Sequence, residues 1–62
     1  MMTVSAMTLY GREIEEEFPI DEMRIFLKRN LQYLDYGIVY DDNKKPCWIF
    51  YRKFNKVTWN KV

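Results

Sequence analysis

Residues 46–54 read Pro46-Cys47-Trp48-Ile49-Phe50-Tyr51-Arg52-Lys53-Phe54 and form the densest apolar run of the chain. Aromatic residues suit the pleated surface of a sheet, and the run is short for a helix, so a strand is predicted over Cys47–Lys53. Apolar side chains occupy both parities, whereas a strand with one wet face would alternate apolar with polar residues. We therefore expect a central strand covered on both faces, by its own chain or by another molecule.

Shorter strands are predicted on either side of this run. Ile38-Val39-Tyr40 precedes it across a polar turn, and Val57–Asn60 follows it across a two-residue turn at Phe54-Asn55. Four loop residues at Asp42–Lys45 and two at Phe54-Asn55 would fix the following cross-strand pairs: Tyr40 with Cys47, Val39 with Trp48, Ile38 with Ile49, Arg52 with Val57, Tyr51 with Thr58 and Phe50 with Trp59.

This register gives the predicted sheet two different faces. One face is bulkier and is the expected seat of a helix; it carries Val39, Trp48, Phe50, Val57 and Trp59. The other face is half apolar and rich in tyrosine; it carries Ile38, Tyr40, Cys47, Ile49, Tyr51, Thr58 and Asn60. An odd-length loop at Phe54-Asn55 would exchange the faces of the last strand, because side chains alternate with a period of two.

One amphipathic helix is predicted from about Asp21 to Tyr36. Asp21 is a suitable N-cap, and Gly37 follows as a left-handed stop. Isoleucines on either side of the cap fit a hydrophobic staple. The apolar stripe has helical spacing and consists of Met23, Phe26, Leu27, Leu31 and Leu34.

The N-terminal segment carries mixed signals. Its residue types favour a strand, yet Met7, Tyr10, Ile14 and Phe18 also fall at helical spacing. We expect an N-terminal strand followed by an irregular acidic connection that ends at Phe18-Pro19. Residues 1–62 are then a single small α+β domain, with one helix on an antiparallel sheet of three C-terminal strands. The alternative prediction adds a fourth strand from the N-terminus.

Length and composition exclude several classes of protein. A domain of 62 residues has a marginal core, which its eleven aromatic residues partly offset. A single cysteine cannot form an internal disulfide, which favours a reducing cytoplasm over a disulfide-stapled secreted fold. No apolar run is long enough for a membrane span, and no basic-then-apolar segment opens the chain, so neither a membrane anchor nor a signal peptide is expected.

Catalytic chemistry is poorly represented. The chain has no histidine and no glycine-rich phosphate loop, and its acidic residues lack the spacing of a calcium loop. Cys47 is expected to be a buried, inert thiol rather than a nucleophile, because no activating base is near it in sequence. We therefore expect a protein that is not an enzyme and that needs no cofactor or metal.

Two functions of different classes remain. The first is a protein-interaction module, an adaptor or inhibitor that binds a partner or a second copy of itself through Tyr40, Ile49 and Tyr51, since large exposed apolar patches mark such sites. The second is a single-stranded nucleic-acid binder. Residues 37–62 carry a net charge of +4 against −3 for residues 1–36, and aromatic and basic residues interleave there. Its candidate residues are Trp48, Arg52, Lys53, Lys56 and Lys61.

Overall fold

The computed structural model describes all 62 residues as one antiparallel sheet with one α-helix on one side. The elements are β1 (Met2–Thr8), β2 (Glu13–Phe18), α1 (Ile20–Asn30), a single 3₁₀ turn (Leu31–Tyr33), β3 (Leu34–Tyr40), β4 (Pro46–Lys53) and β5 (Lys56–Lys61). The α+β prediction is confirmed, but the sheet has five strands rather than three or four.

The strands lie in the order β2-β1-β3-β4-β5. β2 and β3 are both antiparallel to β1, so they run parallel to each other on its two sides. The segment containing α1 connects them across β1, and β3, β4 and β5 follow as a meander. β4 is an interior strand as predicted, although β3 is the middle one.

The C-terminal register follows the prediction closely. All three predicted pairs between β4 and β5 are present, including Phe50 with Trp59 across the Phe54-Asn55 turn. Between β3 and β4 two of the three predicted pairs are present, but Tyr40 pairs with Pro46 instead of Cys47. The cause is a tighter loop: the Asp41 N–H donates to the Lys45 carbonyl oxygen at 2.9 Å, and the Asp41 carboxylate accepts from the backbone N–H groups of Asn43 and Lys45. The residue that the loop does not use, Cys47, is then an extra residue in β4 between the pairs at Pro46 and Trp48.

The N-terminal half departs from prediction at β2. The strand expected at the N-terminus is present, but the acidic residues 13–18 form a second strand instead of an irregular connection. Thr8 organises the turn between the two strands, because its hydroxyl oxygen accepts from the backbone N–H of Arg12 at 3.0 Å and of Tyr10 at 3.3 Å. β2 lies at the edge of the sheet, where charged residues are well tolerated.

The predicted helix is too long at its C-terminal end. It ends at Asn30, and Leu34–Tyr36 begin β3. Asp21 is not the cap: the helix begins one residue earlier, and the carbonyl of Pro19 accepts the first helical hydrogen bond from Met23 N–H at 2.9 Å. Asp21 lies in the first turn, where its negative charge interacts favourably with the positive end of the helix dipole.

The core lies between α1 and one face of the sheet. It consists of Val4, Ala6, Met23, Leu27, Leu34, Val39 and Phe50. Gly37 is not a helix stop but a close-packing site in β3. A Cβ atom added there would lie 2.5 Å from the Phe50 ring and 2.8 Å from the Ser5 carbonyl oxygen. The missing side chain at Gly37 thus makes room for the Phe50 ring, which is fully buried.

Candidate interaction surfaces

No secondary-structure element covers the sheet face opposite α1. The middle of this face is apolar and is called the open face here; it comprises Met7, Tyr36, Ile38, Tyr40, Ile49 and Tyr51. The exposed fractions are 51% for Tyr36, 41% for Ile49 and 42% for Tyr51. Since β1, β3 and β4 are neighbours in the sheet, these side chains form one continuous patch.

The open face contains all three residues predicted to bind a partner. Ile49 and Tyr51 are exposed and Tyr40 is half-buried, and all lie opposite the helix as the register argument required. Tyr36 was not predicted to belong to this surface, because the sequence pattern placed it in the helix. The signal was available: Tyr36 stands two residues before Ile38, and alternate residues of a strand share a face.

Charges of opposite sign flank the open face. On the β2 side, Glu13, Glu15 and Glu17 share its orientation and are exposed. On the β5 side, Lys53 and Lys56 pair directly with each other and are also exposed. The one ion pair in the structure joins the N-terminal ammonium to Asp42, so none of these five charges has a partner within the chain.

A second surface feature is an apolar groove beside α1, called the Trp groove here. It has a volume of about 380 Å³, and its lining comprises Met2, Ile20, Met23, Arg24, Leu27, Lys28, Leu31, Trp48 and Trp59. Trp48 and Trp59 are on the helix side of the sheet as predicted, yet they are 38% and 37% exposed. The helix packs over β1 and β2, which leaves the β4–β5 side of that face partly open.

The residues predicted to bind nucleic acid do not form one site. Lys61 pairs with Trp48 and shares its face, but Lys53 and Lys56 have the opposite orientation. The guanidinium of Arg52 is already bound: Nε donates to the carbonyl oxygen of Leu34 at 3.0 Å, and a second nitrogen donates to Leu31. Arg52 therefore ties β4 to the turn between α1 and β3.

Cys47 is half-buried rather than buried, which corrects the prediction. It lies at the irregularity opposite Tyr40, with its thiol sulfur 3.6 Å from the Lys45 carbonyl oxygen. The acidic residues of β2 point to alternate sides of the strand, and no group of three or more carboxylates and thiols is placed to hold a metal ion.

The chain matches no protein-family model, and no curated protein or solved structure shows significant similarity to it. Its helices lack the combination of length and apolar character that crossing a membrane requires. Function must therefore be inferred from the two surfaces themselves.

Proposed function

We propose that this protein is a non-enzymatic interaction module, an adaptor or inhibitor, that binds another protein surface through the open face. The observation that supports this is the exposure of Tyr36, Ile49 and Tyr51 in one continuous patch on a sheet whose other face is core. Contiguous apolar patches of this kind are uncommon on proteins that bind nothing.

The residue types fit a protein partner better than a small ligand. The open face lies on a broad sheet, and tyrosine offers a large ring that can be buried while its hydroxyl keeps a hydrogen bond. Tyrosine is also enriched among the residues that dominate binding energy at protein interfaces. The flanking glutamates and lysines form a polar rim, which in such interfaces affects orientation and association rate more than affinity. The single thiol favours a reducing cytoplasm as the site of action.

The proposal is tested by affinity capture with three baits. The wild type is compared with Tyr51→Glu, which places a charge on the open face, and with Trp48→Ser, which alters the Trp groove. Captured proteins, including untagged copies of the chain, should be lost with Tyr51→Glu and kept with Trp48→Ser. Capture that survives Tyr51→Glu but fails with Trp48→Ser would assign binding to the other surface. Circular dichroism of each bait confirms that the fold is intact.

The Trp groove supports a second candidate function, binding of single-stranded nucleic acid. Its two tryptophan rings are over a third exposed, and Arg24, Lys28 and Lys61 surround them. Exposed aromatic rings stack unpaired bases for about 1–3 kcal/mol each, while nearby cations neutralise phosphates. Only Trp48 and Lys61 of the predicted nucleic-acid set take part in this regrouped site.

Intrinsic fluorescence tests this candidate directly, because both tryptophans of the chain line the groove. Titration with a thymidine oligonucleotide at low salt should quench the emission, and added salt should reverse the quenching because phosphate contacts release counterions. The matched variant Lys28→Gln should bind more weakly than Lys53→Gln, which alters a lysine on the opposite side. No quenching at low salt would exclude this function.

A further inference from the structure

We propose that the occupant of the open face is a second copy of this chain, packed face to face about a two-fold axis that runs along the strands above β3. This inference rests on the proposed function, since it names the partner of the same surface. Three features of that surface support it: the opposite charges at its two edges, the register of its apolar residues and its area.

The charges distinguish the two symmetric face-to-face arrangements that keep the strands of both copies aligned, as is common for packed sheets. A two-fold axis lying across the strands would place β2 of one copy over β2 of the other and bring two sets of exposed glutamates together. An axis along the strands places β2 over β5 instead, because β3 is the middle of the five strands and the two edges exchange. The acidic edge of one copy then lies over the β5 edge of the other, where Lys56 is close to the height of Glu13 and no carboxylate shares the open-face orientation. Like charges across an interface are unfavourable, so only the second arrangement is complementary.

The apolar residues also match in this arrangement. An axis along the strands preserves each residue's height along the strand. Glu13, Met7, Tyr36, Tyr51 and Thr58 occupy one height, because each pairs with the next across the sheet. Met7 of one copy thus lies over Tyr51 of the other, while Tyr36 and Ile38 lie over their own counterparts on the axis. A thioether on an aromatic ring is a favourable contact.

The rim contact follows from the same heights. Glu13 of one copy stands over Thr58 of the other, and Lys56 is two residues from Thr58 along β5. Two residues of a strand span about 6.8 Å, a distance that a lysine side chain can cover. Each dimer therefore contains two equivalent contacts between Glu13 and Lys56.

The area is adequate for a small dimer. Five strands at about 4.8 Å spacing and some six residues at about 3.4 Å rise project roughly 500 Å². The accessible surface of such a corrugated face is larger than its projection. It therefore approaches the lower range of standard interfaces, about 600–800 Å² from each partner. Sheets packed this way lie about 10 Å apart with their strands within about 30°.

Charge reversal tests both the dimer and its axis. Sedimentation equilibrium at low salt should show a wild-type dimer. Glu13→Lys and Lys56→Glu should each raise its dissociation constant by about two- to thirtyfold, because each variant removes two exposed ion pairs. The double variant Glu13→Lys/Lys56→Glu should recover the wild-type dimer. Glu16→Lys is the matched control: it makes the same charge change on the same strand but on the helix side, and it should leave the dimer unchanged.

Three other outcomes would overturn the inference. If Glu13→Lys strengthens the dimer, the acidic edges of the two copies lie together. If Glu16→Lys weakens the dimer as much as Glu13→Lys does, the dimer responds only to net charge. A chain that stays monomeric at several hundred micromolar would not use its open face for itself. In that last case affinity capture separates the two proposals. If Tyr51→Glu still loses a host protein, the interaction function stands without self-association; if capture does not depend on Tyr51, both proposals fail.

Discussion

The two faces of the sheet are both apolar, yet the residues at their centres differ sharply in exposure to solvent. On the helix side, Val4, Val39 and Phe50 are fully buried, and a glycine makes room for the Phe50 ring. On the other side, Tyr36 and Tyr51 keep roughly half of their surface in contact with solvent. Both sets alternate along the same strands, so adjacent residues such as Phe50 and Tyr51 belong to different environments.

This difference shows how little apolar content alone says about a position in a very small domain. One eleven-residue helix cannot cover both faces of a five-stranded sheet, and here it leaves even the β4–β5 side of its own face partly open. The second face must then be either polar or a surface that another molecule covers. In this chain it is polar at the edges and apolar in the middle, which is the distribution found in protein interfaces.

The largest expected effect is on the covered face. Phe50→Ala should lower the free energy of unfolding by about 3–5 kcal/mol, because it empties the volume of a fully buried ring. The total free energy of unfolding of a protein is only about 5–15 kcal/mol, so urea unfolding must be monitored from dilute denaturant upward. Phe54→Ala is the control: that ring is 88% exposed, and its loss should change stability by about 0.5 kcal/mol or less. Equal midpoints for both variants would contradict the placement of the core.

Arg52 links the covered face to the turn after the helix. Arg52→Met keeps much of the aliphatic stem but removes the donors to the Leu31 and Leu34 carbonyls. Hydrogen bonds from charged groups contribute about 1.5–3 kcal/mol, so a loss of this size is expected in urea unfolding. Lys53→Met alters the next residue on the other face and should be nearly neutral. The same stability for Arg52→Met and the wild type would mean that these hydrogen bonds are replaced by water without cost.

Gly37→Ala should destabilise the protein by about 1–3 kcal/mol, because the new methyl group collides with the Phe50 ring. Combining it with Phe50→Leu, which shortens the opposing side chain, should cost less than the sum of the two single changes. Additive losses in thermal or urea unfolding would show that the strain at Gly37 arises elsewhere, for example at the Ser5 carbonyl.

The smallest effect on stability is expected on the open face. Tyr51→Glu should change the free energy of unfolding by no more than about 1 kcal/mol, the range of strand propensities, although it adjoins Phe50 in sequence. Association should nevertheless weaken strongly, since a carboxylate in the patch must lose water on binding. Comparison of urea midpoints with sedimentation profiles checks both halves of this statement. Global unfolding of Tyr51→Glu would mean that the open face is core.

Sequence patterns predicted the C-terminal half well for a physical reason. β4 is apolar at both parities, and short turns on either side leave few ways to pair it, so most cross-strand partners could be worked out. The same patterns failed at β2. Glutamate is a poor strand former, and Ile14 and Phe18 are four residues apart, a spacing that suits a helix and a strand equally.

The end of the helix and the Trp groove were not predicted for different reasons. Leu31 and Leu34 continue the helical spacing of α1, and only the pairing of β3 with β1 and β4 reveals that Leu34 is in a strand. The groove is assembled from β1, α1, β4 and β5, which are far apart in sequence. No local pattern shows that the helix is displaced towards β2 and leaves both tryptophans partly exposed.

Hydroxyl-radical footprinting tests the central claim, that the sheet has one core face and one binding face, most directly. The protein is labelled in dilute buffer, at high concentration and in an extract of its native host, and the modified residues are located by mass spectrometry. In dilute buffer Tyr36 and Tyr51 should react and Phe50 should not; at high concentration or in extract both tyrosines should become protected, while Trp48 and Trp59 keep their reactivity. Unchanged reactivity of Tyr36 and Tyr51 under every condition, or protection of the tryptophans alone, would contradict the account.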